Sequence, residues 1–429
     1  MKIGIDCRSI VNSGPGEQAG VGHYTYYLVK SLLELDKHNS FVLFFDDRVK
    51  DFSQFKKGNA EIRTFPFYKY KKYLPVAYSQ MLMSSFINKE KLDLFHATAS
   101  TIPLFYNRKA VLTIYDLSLY KYPKLFPSAL SHRRNFATKV LLPKSLTKAK
   151  KIIASSKTTK SDLIEIFGVP EEKIEVVYGG VLSHGKNCPH QAPAEDVAAK
   201  FGIGGKYILF LGTIEARKNV AGLIRAFRNL YLTYDSPLKG YQLILAGGLG
   251  WKNEEVFKEI SDANSVIAGV SGRRSGRERR SGLDTRSAER KAKEGERRKH
   301  QERRVNQPVK YLGYVSHAEK LSLIGRAACF VFPSLYEGFG LPVLEAMSMG
   351  TPVITSNCSS LPEITGREAA MLIDPRKETE ISEALSQVLT DEGLRDMLSI
   401  KGHEKAQEFT WEECARKTAE VYQQALYSK

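Results

Sequence analysis

The chain opens with a pattern that starts again at residue 207, and this recurrence limits its fold more than any other feature. An apolar run over residues 3–5 leads through a glycine-rich loop into a helix-like stretch over residues 24–33. A second apolar run, 207–211, leads through a short loop into another helix-like stretch, 220–232. A strand, a loop and a helix in this order open a doubly wound α/β domain. The sequence therefore predicts two such domains in succession.

Further apolar runs agree with a parallel sheet in each half. They cover residues 41–45, 92–96, 110–114 and 151–154 in the first half, and 242–246, 309–312, 329–332 and 353–355 in the second. Helical or irregular segments separate these runs, which favours parallel strands joined by crossovers. Two such halves imply a cleft between them, and ligands of these sheets bind at the carboxyl ends of the strands.

Length and composition set wider bounds. A chain of 429 residues exceeds what one hydrophobic core usually organises, which again favours two domains. Its five cysteines show no metal or redox spacing, so neither a disulfide framework nor a zinc site is indicated. Charge interrupts the N-terminal apolar residues, and no apolar stretch approaches the ~20 residues of a membrane span. We therefore expect a cytoplasmic protein, with a place on the inner face of the membrane left open.

Nearly half of the net charge of +17 lies in one segment. Residues 272–304 hold fourteen Lys and Arg and six Asp and Glu, so they supply +8 of the total. This uneven distribution does not favour nucleic acid as the partner of the whole chain. The segment contains a degenerate six-residue repeat, 273–290, and almost no apolar residues. It predicts an exposed, flexible insertion in the second domain, over residues 265–306.

The arginines of this insertion leave several readings open. Repeated guanidinium forks can grip a phosphorylated ligand such as cyclic di-GMP, and they also suit a polyanionic glycan, an acidic lipid surface or RNA. A charge run of this kind is also often only a solvated surface. The first candidates for a regulatory site are Arg273, Arg274, Arg277, Arg279 and Arg280.

The strongest local signal is the sequence EGFGLPVLE, residues 337–345, which follows a strand and opens a helix. Gly338 and Gly340 let the backbone approach a ligand, and the helix N-terminus presents free N–H groups to an anion. Carboxylates at Glu337 and Glu345 can accept hydrogen bonds from hydroxyls. The combination suits a sugar nucleotide, although the glycines can equally make a turn while Glu345 faces solvent.

A second signal lies in the loop after the strand 207–211. Arg217 and Lys218 stand where this loop enters a helix. Arginine can hold a diphosphate through two parallel hydrogen bonds, and lysine can act as a point charge. Basic residues in a loop are often merely solvated, so the weight of this pair comes from its position in the same half-sheet as Glu345.

Taken in order, these segments resemble the family 4 glycosyltransferases, which have the GT-B fold. The resemblance rests on Glu337 and Glu345 as an E-x7-E pair, and on LGTIEARKN at 211–219, VFPSLYEGFGLPVLEAMSMGTPVITSN at 331–357 and FTWEECARKTAEVYQQAL at 409–426. It implies an acceptor-side Rossmann-like domain, 1–190, and a nucleotide-sugar-binding domain, 191–410. A C-terminal helix, 411–429, would then cross back to the first domain.

The resemblance also implies roles for individual residues. Glu345 would bind the ribose hydroxyls, while Arg217 and Lys218 would neutralise the diphosphate leaving group. Glycines of the first-domain loop would approach the donor phosphates. These glycines are Gly20 and Gly22, and the residues implied to contact the donor sugar and phosphates are Glu337, Gly338, Phe339, Gly340 and Leu341.

Two positions depart from the family pattern. Thr213 stands where many members carry arginine, and Arg217 is expected to take over. The segment LTIYDLSLYKYP, 112–123, places Tyr115 before Asp116, where the family usually has histidine before aspartate. Tyrosine can still hydrogen-bond a sugar, but it cannot change charge near neutral pH as histidine can.

The activity implied is that of a retaining glycosyltransferase that needs neither a metal nor a cofactor. The acceptor hydroxyl would attack from the front face, with the leaving phosphate as base. GTIEARKN is most similar to mannosyltransferases, so GDP-mannose leads over UDP-sugars, and a polysaccharide or lipid-linked glycan is expected as acceptor. The aromatic and lysine residues of 65–78 suit a membrane headgroup zone or sugar stacking, or a loop packed on the core.

Two rival functions remain open. A nucleotide-sugar epimerase of the same two-domain shape would release epimerised donor without any acceptor. A nucleotide-responsive binding protein with a decayed transferase site would bind its ligand through the arginine repeat and turn over no donor, with Tyr115 as a mark of the decay.

Overall fold

The protein is described by a computed structural model that covers residues 1–11, 20–127, 136–182, 197–275 and 307–427. Its chain forms two compact units. The first contains Met1–Ser183, Glu337–Leu341 and Ala406–Lys429, and the second contains His184–Tyr336 and Pro342–Lys405. Each unit is built on one parallel sheet with helices in the crossovers. The prediction of two successive Rossmann-like α/β domains is confirmed.

The first unit contains a seven-stranded sheet. Its strands are β1 (Lys2–Asp6), β2 (Ser40–Asp46), β3 (Ala60–Phe65), β4 (Leu94–Ala97), β5 (Ala110–Ile114), β6 (Lys151–Ala154) and β7 (Ile174–Val176). They lie in the order β3-β2-β1-β4-β5-β6-β7, and every neighbouring pair is parallel. The central strands are buried throughout, which is why they read as unbroken apolar runs.

The helices of this unit follow from local sequence signals. They are α1 (Val21–Leu35), α2 (Phe67–Tyr73), α3 (Val76–Asn88), α4 (Ser118–Lys121), α5 (Leu142–Lys148) and α6 (Lys157–Phe167). Ser156 caps the N-terminus of α6 by accepting a hydrogen bond from the Thr159 N–H, and Gly168 ends the helix in the left-handed region. On α1, buried Leu28, Val29 and Leu32 pack into the core.

The second unit contains a six-stranded sheet. Its strands are β8 (Lys206–Leu211), β9 (Tyr241–Ala246), β10 (Val309–Gly313), β11 (Cys329–Phe332), β12 (Val353–Ser356) and β13 (Met371–Ile373), in the order β10-β9-β8-β11-β12-β13. Its helices are α7 (Val197–Phe201), α8 (Val220–Tyr231), α9 (Glu254–Ser275), α10 (His317–Arg326), α11 (Leu341–Ser348), α12 (Leu361–Thr365), α13 (Glu378–Thr390) and α14 (Glu392–Ala406). No helix within the described ranges is long and apolar enough to cross a membrane.

The last helix, α15 (Trp411–Tyr427), belongs to the first unit. It packs against α1 and buries Trp411, Cys414 and Tyr422 in the core cluster of that unit. The Trp411 ring stacks on Tyr27 with 5.4 Å between the ring centroids. The family resemblance implies such a C-terminal helix. The segment forms a helix because it combines buried apolar positions at helical spacing with a charged outer face.

The predicted start of the flexible insertion is wrong. Helix α9 continues through Ser275, although the sequence predicted a flexible segment from residue 265. The physical reason is an apolar pair at helical spacing, since Ala263 and Ile267 are both buried. Glu259 on the same helix pairs with Arg225 and Arg228 of α8. The rest of the predicted insertion, 276–306, lies outside the described residues.

Candidate functional site

Two loops of the second unit meet at the carboxyl edge of its sheet. Strands β8 and β11 are parallel neighbours, so the loops that follow them leave from the same edge. The Leu335 N–H donates to the Arg217 carbonyl at 2.9 Å, and the Arg217 Nη1 donates to the Tyr336 carbonyl at 2.9 Å. These hydrogen bonds fasten the loop that carries Arg217 and Lys218 to the segment before Glu337.

Arg217 also pairs with Glu215 of its own loop. The Nε and Nη2 atoms donate to Glu215 Oε1 at 3.1 and 2.8 Å, and both side chains are largely buried. The carboxylate offsets the guanidinium charge. Arg217 therefore has a structural role, because its hydrogen bonds join two loops, in addition to its positive charge. Sequence reasoning missed Glu215, because an acidic residue in a loop does not reveal which arginine it holds.

Lys218 is the buried cation of this edge. Its ammonium lies 4.7 Å from the centroid of the Phe332 ring, at the end of β11. A ring face attracts a cation, and the low local dielectric strengthens the action of that charge on any anion placed nearby. The predicted position of Lys218 at a strand end is therefore matched by a geometry suited to an anionic ligand.

Polar residues at the end of β12 hold the loop after β11 from its other side. Ser356 Oγ donates to the Ser334 carbonyl at 2.7 Å, and Thr355 Oγ1 donates to the Phe332 carbonyl at 2.9 Å. The sequence contains a signal for this role, since the polar residues TSN, 355–357, end a buried strand at the edge where loops collect. Thr355 and Ser356 were not among the predicted site residues.

Glu345 forms an ion pair that the sequence did not indicate. Its Oε1 lies 2.6 Å from the Nζ of Lys320, which is on α10. Only 12% of the Glu345 side chain and 14% of the Lys320 side chain are exposed. A carboxylate has two oxygens and about four lone-pair sites, so it can hold an ammonium and hydroxyl donors together. The alternative that Glu345 merely faces solvent is wrong.

The segment Glu337–Leu341 makes its contacts within the first unit. Ser155 Oγ donates to the Gly338 carbonyl at 2.9 Å. A Cβ at position 338 would lie 1.9 Å from the Tyr115 carbonyl oxygen, so glycine is required here for contact with the protein's own backbone. Glu337 is buried. The other members are Phe339, which stacks on Tyr178, Gly340, which precedes α11, and Leu341, which packs on the core of the first unit.

The Tyr115 side chain packs on the core of the first unit. Its hydroxyl oxygen is enclosed, and its ring packs edge-on against Tyr24 with 5.1 Å between centroids. Burial raises the pKa of Tyr115. The side chain follows the apolar strand β5 and packs against the core cluster, so its hydroxyl faces the protein interior. The neighbouring Asp116 is exposed, and its Oδ1 accepts the Ser118 N–H at 3.1 Å at the start of α4.

The first-unit glycines lie at the start of α1. Gly20 has φ +53°, a conformation that few residues other than glycine adopt, and no atom of the described residues lies within 4 Å of where its Cβ would be. Gly22 is buried in the first turn of the helix. Gly20 is thus the residue before α1, whose first N–H groups have no partner within the helix.

The candidate regulatory arginines are only partly covered. Arg273 and Arg274 lie in the last turn of α9. Arg277, Arg279 and Arg280 lie outside the described residues. Over the ranges that the structure describes, no group of three or more His, Cys, Asp or Glu side chains is placed to hold a metal ion.

Comparison with known proteins agrees with this geometry. Residues 194–405 match the glycosyl transferases group 1, and residues 19–182 match glycosyltransferase family 4. The chain is 31% identical over 317 residues to O-antigen chain mannosyltransferase B of Escherichia coli. That match covers 73% of this chain and 70% of the relative.

Solved structures with the same fold cover the whole chain. A sucrose-phosphate synthase of Thermosynechococcus elongatus superposes with a TM-score of 0.67 at 18% identity, covering 100% of both chains. HepE of Anabaena, in complex with UDP and glucose, superposes with a TM-score of 0.65 at 16% identity over 99% of both chains. At these identities the likeness is one of fold, and that fold is GT-B.

Proposed function

This chain belongs to the family 4 glycosyltransferases, and from that premise we propose that it transfers mannose from GDP-mannose to a polysaccharide or lipid-linked glycan. The observation that carries the proposal is the placement of Lys218 and Glu345 around neighbouring strands of one parallel sheet. A cation for the diphosphate and a carboxylate for the ribose are the two charges that a nucleoside diphosphate needs there.

The reaction proposed is a front-face displacement with retention. The bond between the anomeric carbon and the diphosphate oxygen breaks, and the acceptor oxygen bonds to the same face of that carbon. The acceptor proton passes to the leaving phosphate oxygen. Negative charge grows on the diphosphate in the transition state, where Lys218, with Arg217 behind it, stabilises that charge best. Because these two residues supply positive charge, we propose that the reaction needs no metal.

The remaining site residues take roles around this displacement. Glu337 and Asp116 bind hydroxyls of the donor sugar, and backbone N–H groups after Gly338 and Gly20 receive the phosphates. The enclosed hydroxyl of Tyr115 is given no contact with the donor. UDP-sugars are the competing donor class, since HepE was solved with UDP and glucose.

Turnover distinguishes the proposal from its rivals. The full chain is mixed with GDP-mannose or UDP-glucose, with and without a lipid-linked glycan extract, and products are identified by mass spectrometry. Transfer from GDP-mannose that depends on the acceptor supports the proposal. Release of an epimerised donor without acceptor would favour the epimerase, and nucleotide binding without turnover would favour a binding protein.

The acceptor-side unit presents an aromatic and basic face on α2 and α3. Tyr73 and Tyr78 are 70% and 59% exposed, Met81 is also exposed, and residues 66–88 hold three lysines and no acidic residue. Tyrosine rings and lysines suit the headgroup zone of an anionic membrane, so we propose that the enzyme is cytoplasmic and docks there. Co-sedimentation with phosphatidylglycerol vesicles, compared with phosphatidylcholine vesicles, tests this, and equal binding to both would contradict it.

Regulation by cyclic di-GMP at the arginine repeat is the last part of the proposal. Its support is the sequence of the repeat, whose guanidinium groups can hold phosphates, and the position of Arg273 and Arg274 in the last turn of α9. A deletion of residues 276–304 leaves α9 whole and removes most of the repeat, including Arg277, Arg279 and Arg280. Binding of cyclic di-GMP to the intact chain alone would support the regulatory site. Equal binding to both proteins, or to neither, would contradict it.

A further inference from the structure

An Asp-x-Arg sequence occurs twice in the first unit, each time at the carboxyl end of a strand. Asp6 ends β1 and is followed by Arg8, and Asp46 ends the neighbouring strand β2 and is followed by Arg48. In both copies the arginine N–H and Nε donate to Oδ1 of the aspartate. The distances are 3.2 and 2.7 Å in the first copy, and 3.2 and 2.5 Å in the second. One local motif thus places two guanidinium groups along one edge of the sheet.

The first copy is closed. Arg8 Nη2 donates to Asp6 Oδ2 at 2.5 Å, and Nη1 lies 2.6 Å from the sulfur of the buried Met83. The guanidinium lies 4.9 Å from the centroid of the buried Phe67 ring. All three nitrogens of this guanidinium group therefore contact the protein, its side chain is only 20% exposed, and the pair serves the packing of β1 against α2 and α3.

The second copy is open. Asp46 is 1% exposed and also accepts the Tyr68 N–H at 2.7 Å, which fixes its carboxylate. The Arg48 guanidinium lies 4.3 Å from the centroid of the Tyr68 ring. Arg48 is 42% exposed and Tyr68 is 46% exposed. Among the residues that the structure describes, Arg48 Nη1 and Nη2 donate to no protein acceptor, although Asp46 and Tyr68 hold the group in place.

We propose that the outer edge of Arg48 is an oxyanion subsite for the acceptor. A planar guanidinium offers two parallel N–H donors, which match the two oxygens of a phosphate or a carboxylate. Its place beyond the carboxyl ends of β1 and β2 is where ligands of such sheets bind. The acceptor role rests on the proposed function, whereas oxyanion binding by Arg48 does not.

Pairing with Asp46 alone does not account for the second copy. A buried carboxylate needs a cationic partner, and the Nε of Arg48 supplies it. This pairing does not involve the two terminal nitrogens of Arg48 or explain the exposed Tyr68 ring. In Arg8, by contrast, the terminal nitrogens contact the protein interior. Two chemical sources of the oxyanion fit the edge: a phosphate of a lipid-linked acceptor, or the carboxylate of an acidic sugar.

Phenylglyoxal labelling resolved by peptide mass spectrometry tests the subsite on the full chain. The reagent reacts with the terminal nitrogens of arginine, so Arg48 should be labelled and Arg8, the matched control, should not. GDP is present throughout to fill the donor site. Addition of inorganic pyrophosphate, sodium glucuronate or neutral glucose then shows which chemistry protects Arg48. We expect labelling about tenfold slower with an oxyanion, since a charge-assisted pair of hydrogen bonds is worth at least that factor.

Each outcome has one meaning. Protection by pyrophosphate alone indicates a phosphate-bearing acceptor, and protection by glucuronate alone indicates an acidic sugar. Equal labelling with and without both oxyanions, or no labelling of Arg48 in the free protein, would overturn the subsite. Arg48→Lys keeps the partner of Asp46 and should keep the melting temperature, yet calorimetric binding of pyrophosphate in the presence of GDP should weaken. A failure of GDP to bind would count against the transferase proposal and leave the labelling result standing.

Discussion

The Lys320–Glu345 ion pair allows binding and stability to be separated at the proposed ribose site. The two charged atoms are 2.6 Å apart, and more than four-fifths of each side chain is covered. Glu345→Ala leaves the Lys320 ammonium without this carboxylate in a poorly solvated place. We expect the free energy of unfolding to fall by about 2 kcal/mol, less than for a fully buried pair because some water still reaches both groups.

The same variant should lose nucleotide affinity for a different reason. Two ribose hydroxyls that donate to one carboxylate form charge-assisted hydrogen bonds of about 1.5 to 3 kcal/mol each before desolvation is offset. The Kd for GDP should therefore rise about 10- to 100-fold. Calorimetry with GDP and 2′-deoxy-GDP measures it, and the two nucleotides should bind Glu345→Ala with nearly equal affinity.

The control is the double variant Lys320→Met with Glu345→Leu. It removes both charges at similar volume, so the free energy of unfolding should return to within about 1 kcal/mol of the parent value. Its affinity for GDP should stay as low as that of Glu345→Ala. If the double variant instead bound GDP as the parent does, the carboxylate would have no contact with ribose and the assignment of Glu345 would be refuted.

Three further predictions concern the first unit. Tyr115→Phe should leave the KM for the donor unchanged, because the hydroxyl is enclosed within the first unit beside Thr25; a raised KM would restore the sugar contact. Gly338→Ala should cost about 1 to 3 kcal/mol in urea unfolding, because its Cβ would lie 1.9 Å from the Tyr115 carbonyl oxygen, and an unchanged midpoint would contradict this contact. Burial lowers the pKa of His96 to about 3, so the unfolded chain takes up a proton below pH 6.5 that the folded chain does not. Stability should therefore fall by about 2 kcal/mol between pH 7 and pH 5, and His96→Gln should lack this part of the loss in urea titrations at the two pH values.

Sequence alone determined the architecture, because strand and helix periods are local properties of the chain. Unbroken apolar runs predicted the parallel strands β1, β2, β8 and β11, since a strand covered on both faces has no polar side to show. Positions of loop residues also followed. Lys218 and Glu345 were expected near one sheet edge because the carboxyl ends of parallel strands share that edge.

Tertiary structure alone decided what each side chain contacts. The partner of Glu345 is Lys320, on a helix whose sequence gives no sign of the pairing. Whether Tyr115 faces a ligand or the core depends on the packing of α1 and α15 around it. The two Asp-x-Arg copies are alike in sequence, yet the Arg8 guanidinium contacts Met83 whereas the Arg48 side chain is exposed. A local pattern sets which face of an element is apolar, but burial and ion pairing arise between elements far apart in the chain, so only their packing fixes them.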